Sequence, residues 1–192
     1  MTGSGPARRA VFLDRDGVLN RSRLIDDVPR PPASAEELEL LPGVEAACRR
    51  LGGAGLMLIV VTNQPDIARG TQTEAEVDAI NRRLAELLPL DEIRVCPHDD
   101  ADRCACRKPA PGMLVEAART HGIELERSVM VGDRWRDVEA GRRAGCKTVF
   151  VDRGYDEKRP RDPDLTVEDL PGAVPWILNF WNGGELPDEH QA

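Results

Sequence analysis

The chain reads as a three-layer α/β/α sandwich around a mainly parallel, Rossmann-like sheet. Three observations predict this. Short apolar runs without alternation recur along the chain, stretches of helical periodicity separate them, and the runs end in polar residues. Apolar runs of that kind belong to strands covered on both faces, and right-handed crossovers put helices on either side. A single domain is expected over residues 1–182, with a flexible tail at 183–192.

The first strand runs from Arg9 to Asp14 and ends in Asp14-Arg15-Asp16-Gly17. If the extended conformation persists, period-2 geometry sets Asp14 and Asp16 on one side and turns Arg15 away. By itself the pair is either an acidic turn or a cation-binding centre, because two close carboxylates repel without a cation between them. The polar stretch 21–34 is a loop or flap, serving as a plain connection or as a substrate contact. Pro42-Gly43 opens a helix through Arg50, which Gly52-Gly53-Ala54-Gly55 terminates. Leu56 to Val61 is a strand ending in Thr62-Asn63-Gln64. Thr73-Glu74-Ala75-Glu76 has capping-box spacing, and Val77, Ile80, Leu84, Leu87 and Leu88 continue the helix to Pro89.

Ile93 to Val95 is a third strand, leading into a cysteine cluster. Pro111 starts a helix that stops at His121-Gly122, with His121 read as a C-terminal cap. Ser128 to Val131 is a fourth strand, ending in Gly132-Asp133. A helix covers Asp137 to Ala144, and Lys147 to Val151 is a fifth strand. A short last helix covers Pro175 to Asn179, with Trp176 and Trp181 as packing residues.

Composition narrows the function. There are 26 basic and 34 acidic residues, a net charge of −8, and 41% hydrophobic residues. No basic surplus exists to displace counterions from nucleic acid, whereas a small anionic substrate needs only a local positive site. No apolar run is long enough for a membrane helix and no signal-peptide pattern opens the chain, so a cytoplasmic protein is expected. Cys96, His98, Cys104 and Cys106 offer three thiolates and an imidazole, a closed tetrahedral set for structural Zn²⁺. Cys48 and Cys146 read as core thiols, and His190 falls in the tail.

Asp14/Asp16, Thr62-Asn63-Gln64, Arg107-Lys108 and Asp133/Asp137 thus stand at or near strand ends, a constellation suited to phosphoryl transfer. In order and spacing, Asp14-Arg15-Asp16-Gly17, Thr62-Asn63-Gln64, Lys108 and Gly132-Asp133-Arg134-Trp135-Arg136-Asp137 resemble the four motifs of the haloacid dehalogenase (HAD) superfamily. Gln64-Pro65-Asp66-Ile67-Ala68-Arg69-Gly70 and Cys104-Ala105-Cys106-Arg107-Lys108-Pro109 are similar to its branch of heptose-bisphosphate and histidinol-phosphate phosphatases. The resemblance implies that Asp14 is the nucleophile and Asp16 the general acid and base. It implies that Thr62, Asn63, Gln64 and Lys108 serve the phosphoryl group, with Arg107 and Arg134 reaching the substrate. Mg²⁺ would be held by Asp14, Asp16 (through its carbonyl) and Asp133. Asp137 would either orient that centre without touching the ion or simply favour a helix N-terminus. The zinc loop 96–106 would aim Arg107 and Lys108 inward.

The expected reaction is Mg²⁺-dependent hydrolysis of a small sugar phosphate, foremost D-glycero-D-manno-heptose 1,7-bisphosphate, with histidinol phosphate as the alternative. Residues 17–42 leave no room for a full cap domain, so the pocket should be open. The stretch Arg21 to Leu41 is longer than that branch usually carries and lacks its Gly-Tyr-Val element. A phosphotransferase or mutase would need a cap that excludes water. A non-catalytic zinc scaffold would not need the carboxylate pair. The expected partner is a small phosphorylated metabolite, with neither nucleic acid nor membrane, and a single copy of the chain.

Overall fold

The computed structural model describes residues 8–25 and 28–183. The tail expectation, His190 included, lies outside these residues save for Gly183. The strands are β1 (Ala10–Leu13), β2 (Arg23–Ile25), β3 (Val28–Arg30), β4 (Met57–Asn63), β5 (Glu92–Cys96), β6 (Val129–Gly132), β7 (Lys147–Val151) and β8 (Leu165–Val167). The helices are α1 (Val44–Gly53), α2 (Glu74–Leu87), α3 (Gly112–His121), α4 (Trp135–Ala144) and α5 (Leu170–Trp181).

Six strands form one sheet in the order β5-β4-β1-β6-β7-β8, with every neighbouring pair parallel. Alternation along β1 divides the core. Val11 and Leu13 pack in one layer with Val44, Leu51, Leu84, Val174 and Ile177 from α1, α2 and α5. Ala10 and Phe12 pack in the other with Met113, Leu114, Ala117 and Ala140 from α3 and α4. Each large side chain buried in this way contributes about 1.5–3 kcal/mol, which is why the strands show apolar residues on both faces.

The chain runs from β1 through β4 to β5 on one side, then returns to build β6, β7 and β8 on the other. The carboxyl ends of β1, β4 and β6 therefore border the point where strand order reverses, where such sheets open a crevice. At that edge Gly17 has φ +87°, and a Cβ there would lie 1.9 Å from Asp133 Oδ2. Only glycine brings this turn so close to the carboxylate.

Several expectations need correction. The stretch 21–34 contains an antiparallel β2–β3 pair in register Arg23↔Arg30, and no cap domain stands there among the described residues. Helix α1 extends past Arg50 to Gly53 and ends within the expected Gly52-Gly53-Ala54-Gly55 stop, with Ala54 as its C-terminal cap and Gly55 left-handed. The last helix starts five residues before Pro175, because Asp169 caps it by accepting the Gly172 amide at 2.8 Å. Burial of Leu170, Val174 and Ile177 holds Pro175 inside the helix against its poor propensity. Strand β8 was not expected at all. His121 is no cap: Gly122 holds the C-terminal position, and the imidazole Nε2 pairs with Glu92 at 2.8 Å. The capping box of Thr73 and Glu76 is present. No described helix is long and apolar enough to cross a membrane.

Candidate active site

Asp14 directly follows β1, with its amide donating to Val131 O across the strand junction. Its Oδ1 accepts from Lys108 Nζ at 2.8 Å. The same ammonium, 2% exposed, donates to Val61 O at 2.7 Å and pairs with Asp137 Oδ1 at 2.6 Å. Lys108 is set in place by its own backbone, which exchanges two hydrogen bonds with the Asn63 side chain, of 3.0 and 3.1 Å. The Asn63 amide is therefore spent on Lys108 rather than turned to a ligand. Asp137 is used twice over, since its Oδ2 accepts the Arg134 amide at 2.9 Å.

Asp133 completes the acidic floor. Its Oδ1 is buried and has no hydrogen-bond partner among the described residues, an expensive state for a carboxylate oxygen. Burial together with the Asp133 charge pushes the Tyr155 phenol up. Oxygens of Asp14, Asp133 and Asp137 all lie within 4.8 Å of one another. Crowding of this kind raises proton affinity. Burial pushes the Asp14 carboxyl up to about 6, with Asp137 and Asp16 adding to the effect and Lys108 opposing it. Burial, then the charges of Asp14 and Asp137, raise Asp133 well above the carboxylate range.

Asp16 stands apart from that cluster. Its carboxylate accepts from Arg15 Nη2 (3.0 Å), Asn20 Nδ2 (2.9 Å) and Gln64 Nε2 (2.9 Å). The expectation that Arg15 turns away fails. Strand geometry ends at Leu13, so the fully buried Arg15 folds back onto Asp16 and also reaches Asn81 Oδ1 at 2.9 Å. Gln64 also donates to Thr62 Oγ1 at 2.8 Å, so its amide supports Thr62 and Asp16 from behind.

Beside this floor, Cys96, His98, Cys104 and Cys106 gather after β5. Cys106 Sγ lies 3.2 Å from Cys96 Sγ, 3.3 Å from Cys104 Sγ and 3.3 Å from His98 Nδ1. Cys96 Sγ is 3.6 Å from both Cys104 Sγ and His98 Nδ1. Tetrahedral Zn²⁺ bonds of about 2.3 Å to sulfur and 2.0 Å to nitrogen imply edges of about 3.5–3.8 Å. The donor set and its spacing fit that ion. Cys48 and Cys146 lie elsewhere in the core, and burial pushes both thiols to about 12.

A pocket of about 320 Å³ opens above Asp14, Asp16, Thr62, Lys108, Asp133 and Asp137. Its wall carries Arg30, Arg69, Arg107, Arg134 and Arg136. Arg107 donates to Asp100 Oδ1 (2.7 Å) and His98 O (3.0 Å), while Arg69 grips Asp99 with two bonds of 2.7 and 3.0 Å. Arg134 lies over the Tyr155 ring at 5.7 Å, with Glu157 3.7 Å from its Nε.

The comparisons with known proteins bear directly on this arrangement. A HAD-hydrolase-like family model matches residues 105–173. The chain is 39% identical over 193 residues to D-glycero-D-manno-heptose-1,7-bisphosphate 7-phosphatase of Thermosynechococcus vestitus, covering 88% of this chain and 95% of the relative. It is 40% identical over 157 residues to D-glycero-beta-D-manno-heptose-1,7-bisphosphate 7-phosphatase of Rhodopseudomonas palustris, covering 76% and 84%. The chain belongs to the HAD-like phosphatases. A solved member, D,D-heptose 1,7-bisphosphate phosphatase from B. bronchiseptica complexed with magnesium and phosphate, superposes with a TM-score of 0.77 at 34% identity. It covers 89% of this chain and 98% of that one.

As a HAD-like phosphatase, the chain brings Asp14, Lys108 and the Asp133/Asp137 pair together from three segments, with Thr62 and Asp16 beside them. Oxygen donors alone, one of them an orphaned buried oxygen, suit Mg²⁺ rather than a softer metal. Sequence reasoning missed Arg30, Arg69, Arg136, Asp100 and Tyr155 on or beside the pocket. Arg69 and Arg136 lay inside the matched motifs, so proximity to those motifs was an available signal. Arg30 and Tyr155 arrive through the β2–β3 pair and the segment after β7, which carried no pattern.

Proposed function

We propose that this phosphatase removes the 7-phosphate of D-glycero-D-manno-heptose 1,7-bisphosphate through an aspartyl-phosphate intermediate. The observation that carries the mechanism is the asymmetry at Asp14. Lys108 pins Oδ1, and among the described residues no donor takes Oδ2. One oxygen is oriented while the other faces the pocket, as in-line attack on phosphorus requires. The bond from phosphorus to the sugar oxygen breaks as the bond to Asp14 forms, and Asp16 donates a proton to the departing alkoxide. Asp16 then takes a proton from water as that water attacks the aspartyl-phosphate, which frees phosphate and restores Asp14. To do so Asp16 rotates out of its clamp of Arg15, Asn20 and Gln64 toward the pocket it lines.

Thr62 and the Asn63 backbone amide hold phosphoryl oxygens, the Gln64 amide being spent on Cys96 O at 2.8 Å, and Lys108 offsets their charge. Asp14, Asp133 and the Asp16 carbonyl would hold Mg²⁺, which when bound supplies positive charge against the phosphoryl oxygens. Asp137, with both oxygens already engaged, positions Lys108 and the turn at Arg134 instead. Cys96, His98, Cys104 and Cys106 would hold a structural Zn²⁺. Arg107 and Arg134 take the part of the substrate beyond the scissile phosphate. The named relatives support the substrate, and the open pocket with its arginine wall supports a small molecule with more than one anionic group. The acidic composition, without a basic surplus, supports a small-molecule substrate over nucleic acid.

The test is Mg²⁺-dependent phosphate release from heptose 1,7-bisphosphate, histidinol phosphate and other sugar phosphates, for wild type and Asp14→Asn. The bisphosphate should show the highest kcat/KM, and Asp14→Asn should abolish turnover while keeping the native circular dichroism. Wild-type-like activity in Asp14→Asn would sink the nucleophile assignment, and a preference for histidinol phosphate would sink the substrate.

A further inference from the structure

Two arginines on the pocket wall converge on one carboxylate that the chain itself supplies. Arg107, after the cysteine cluster, donates through Nε to Asp100 Oδ1 at 2.7 Å. Arg136, in the first turn of α4, reaches the same oxygen through Nη1 at 3.1 Å and Asp100 Oδ2 through Nη2 at 3.3 Å. All three residues line the pocket. Two guanidinium groups aimed at one point repel each other unless an anion sits between them. Here that anion is Asp100, whose Oδ1 takes both guanidinium groups.

With Arg107 already assigned to the distal part of the substrate, we propose that Arg136 joins it in a clamp on the second anionic group, and that Asp100 occupies both arginines until that group displaces it. This rests on the bisphosphate reading above. The arginines are built to stay. Arg107 is anchored separately to His98 O at 3.0 Å, and Arg136 lies over the Trp135 ring at 5.0 Å. Asp100 is built to leave, since its side chain is 58% exposed on a one-turn 3-10 segment and its ion pairs are solvent-accessible and therefore weak. An arginine fork accepts carboxylate and phosphate alike, and a phosphate dianion offers more charge and more acceptor oxygens than a carboxylate. Asp100 thus acts as an internal competitor that holds the clamp in shape, and Arg136 becomes a specificity residue for the distal group.

The test is steady-state kinetics of the full chain, comparing heptose 1,7-bisphosphate with p-nitrophenyl phosphate, which has no second anion. For Asp100→Asn the ratio of kcat/KM values, bisphosphate over p-nitrophenyl phosphate, should rise about fivefold through KM, the scale that two exposed ion pairs can supply. That gain should shrink in about 0.5 M salt, which screens exposed charge. For Arg136→Met the ratio should fall about tenfold, as expected for losing a charged hydrogen-bond donor. An unchanged or lowered ratio in Asp100→Asn would overturn the competitor role, and an unchanged ratio in Arg136→Met would overturn the clamp. If none of the proteins hydrolyses the bisphosphate while all hydrolyse p-nitrophenyl phosphate, the substrate reading falls and takes the clamp with it.

Discussion

Lys108 is the cation on which the buried acids around it depend. It is 2% exposed and serves Asp14, Asp137 and a carbonyl at once, and burial, which opposes its charge, is overcome by Asp137 and then Asp14, so its proton is held more tightly than usual. Removing one partner of a buried pair leaves uncompensated charge behind, at a cost of about 3–5 kcal/mol. Lys108→Met should therefore lose about that much unfolding free energy in denaturant titrations of the metal-free protein. A loss below about 1 kcal/mol would mean that Asp14 and Asp137 do not rely on this ammonium. At this scale the sequence was legible where chemistry required a residue type: Asp14, Lys108 and Asp133 meet in the floor as their motifs implied. It was illegible where orientation depended on a bend. Strand alternation turns Arg15 away from Asp16, yet the strand ends at Leu13 and the side chain folds onto Asp16.

Among the elements, the cysteine loop between β5 and α3 carries the most consequence per residue. It has little regular structure, so the thiolates and the imidazole are what can fix it. Gly112 lets α3 press against it, since a Cβ there would lie 2.2 Å from Ala105 O. Arg107 follows directly and takes its anchor from His98 O. Purified protein should contain one zinc per chain by elemental analysis. Chelation, or Cys106→Ser, should lower the thermal midpoint and raise KM for the bisphosphate more than for p-nitrophenyl phosphate. Full midpoint and kinetics retained at less than about half a zinc per chain would count against a structural ion. Elements with long apolar runs, such as β4, were visible in the sequence. The β2–β3 pair and β8 were not, because three-residue strands lack a pattern and Pro29 reads as loop.

At the scale of the whole molecule, the acidic floor ties stability to pH and to metal. With its pKa raised to about 6, folded metal-free Asp14 keeps a proton that the unfolded chain loses near 4. Between those values the folded state binds more protons, so this residue's contribution to stability declines as pH rises through about 6. Mg²⁺ competes with that proton. Added at a hundred times its dissociation constant near neutral pH, it should raise unfolding free energy by about 2.7 kcal/mol. Its affinity by calorimetry should weaken as pH falls through about 6. A pH-independent affinity across that range would refute the coupling. The fold class was readable because parallel strands covered on both faces impose composition. Of the arginine wall only Arg107 and Arg134 were readable, since the places of Arg30, Arg69 and Arg136 depend on which loops meet above the sheet.

The strand order has a further consequence for how the enzyme comes into being. β1 is synthesised first, yet its neighbours are β4 and β6: Val11 pairs with Leu58 and with Val129. During translation the nucleophile at Asp14 thus emerges long before Lys108, its partner 94 residues on, and longer before Asp133. A nascent chain halted near the middle would hold the attacking group with neither its cation nor its remaining acids. Catalytic competence is deferred until the later strands close over the earliest one, so incomplete products of the ribosome should be inert toward cellular phosphates.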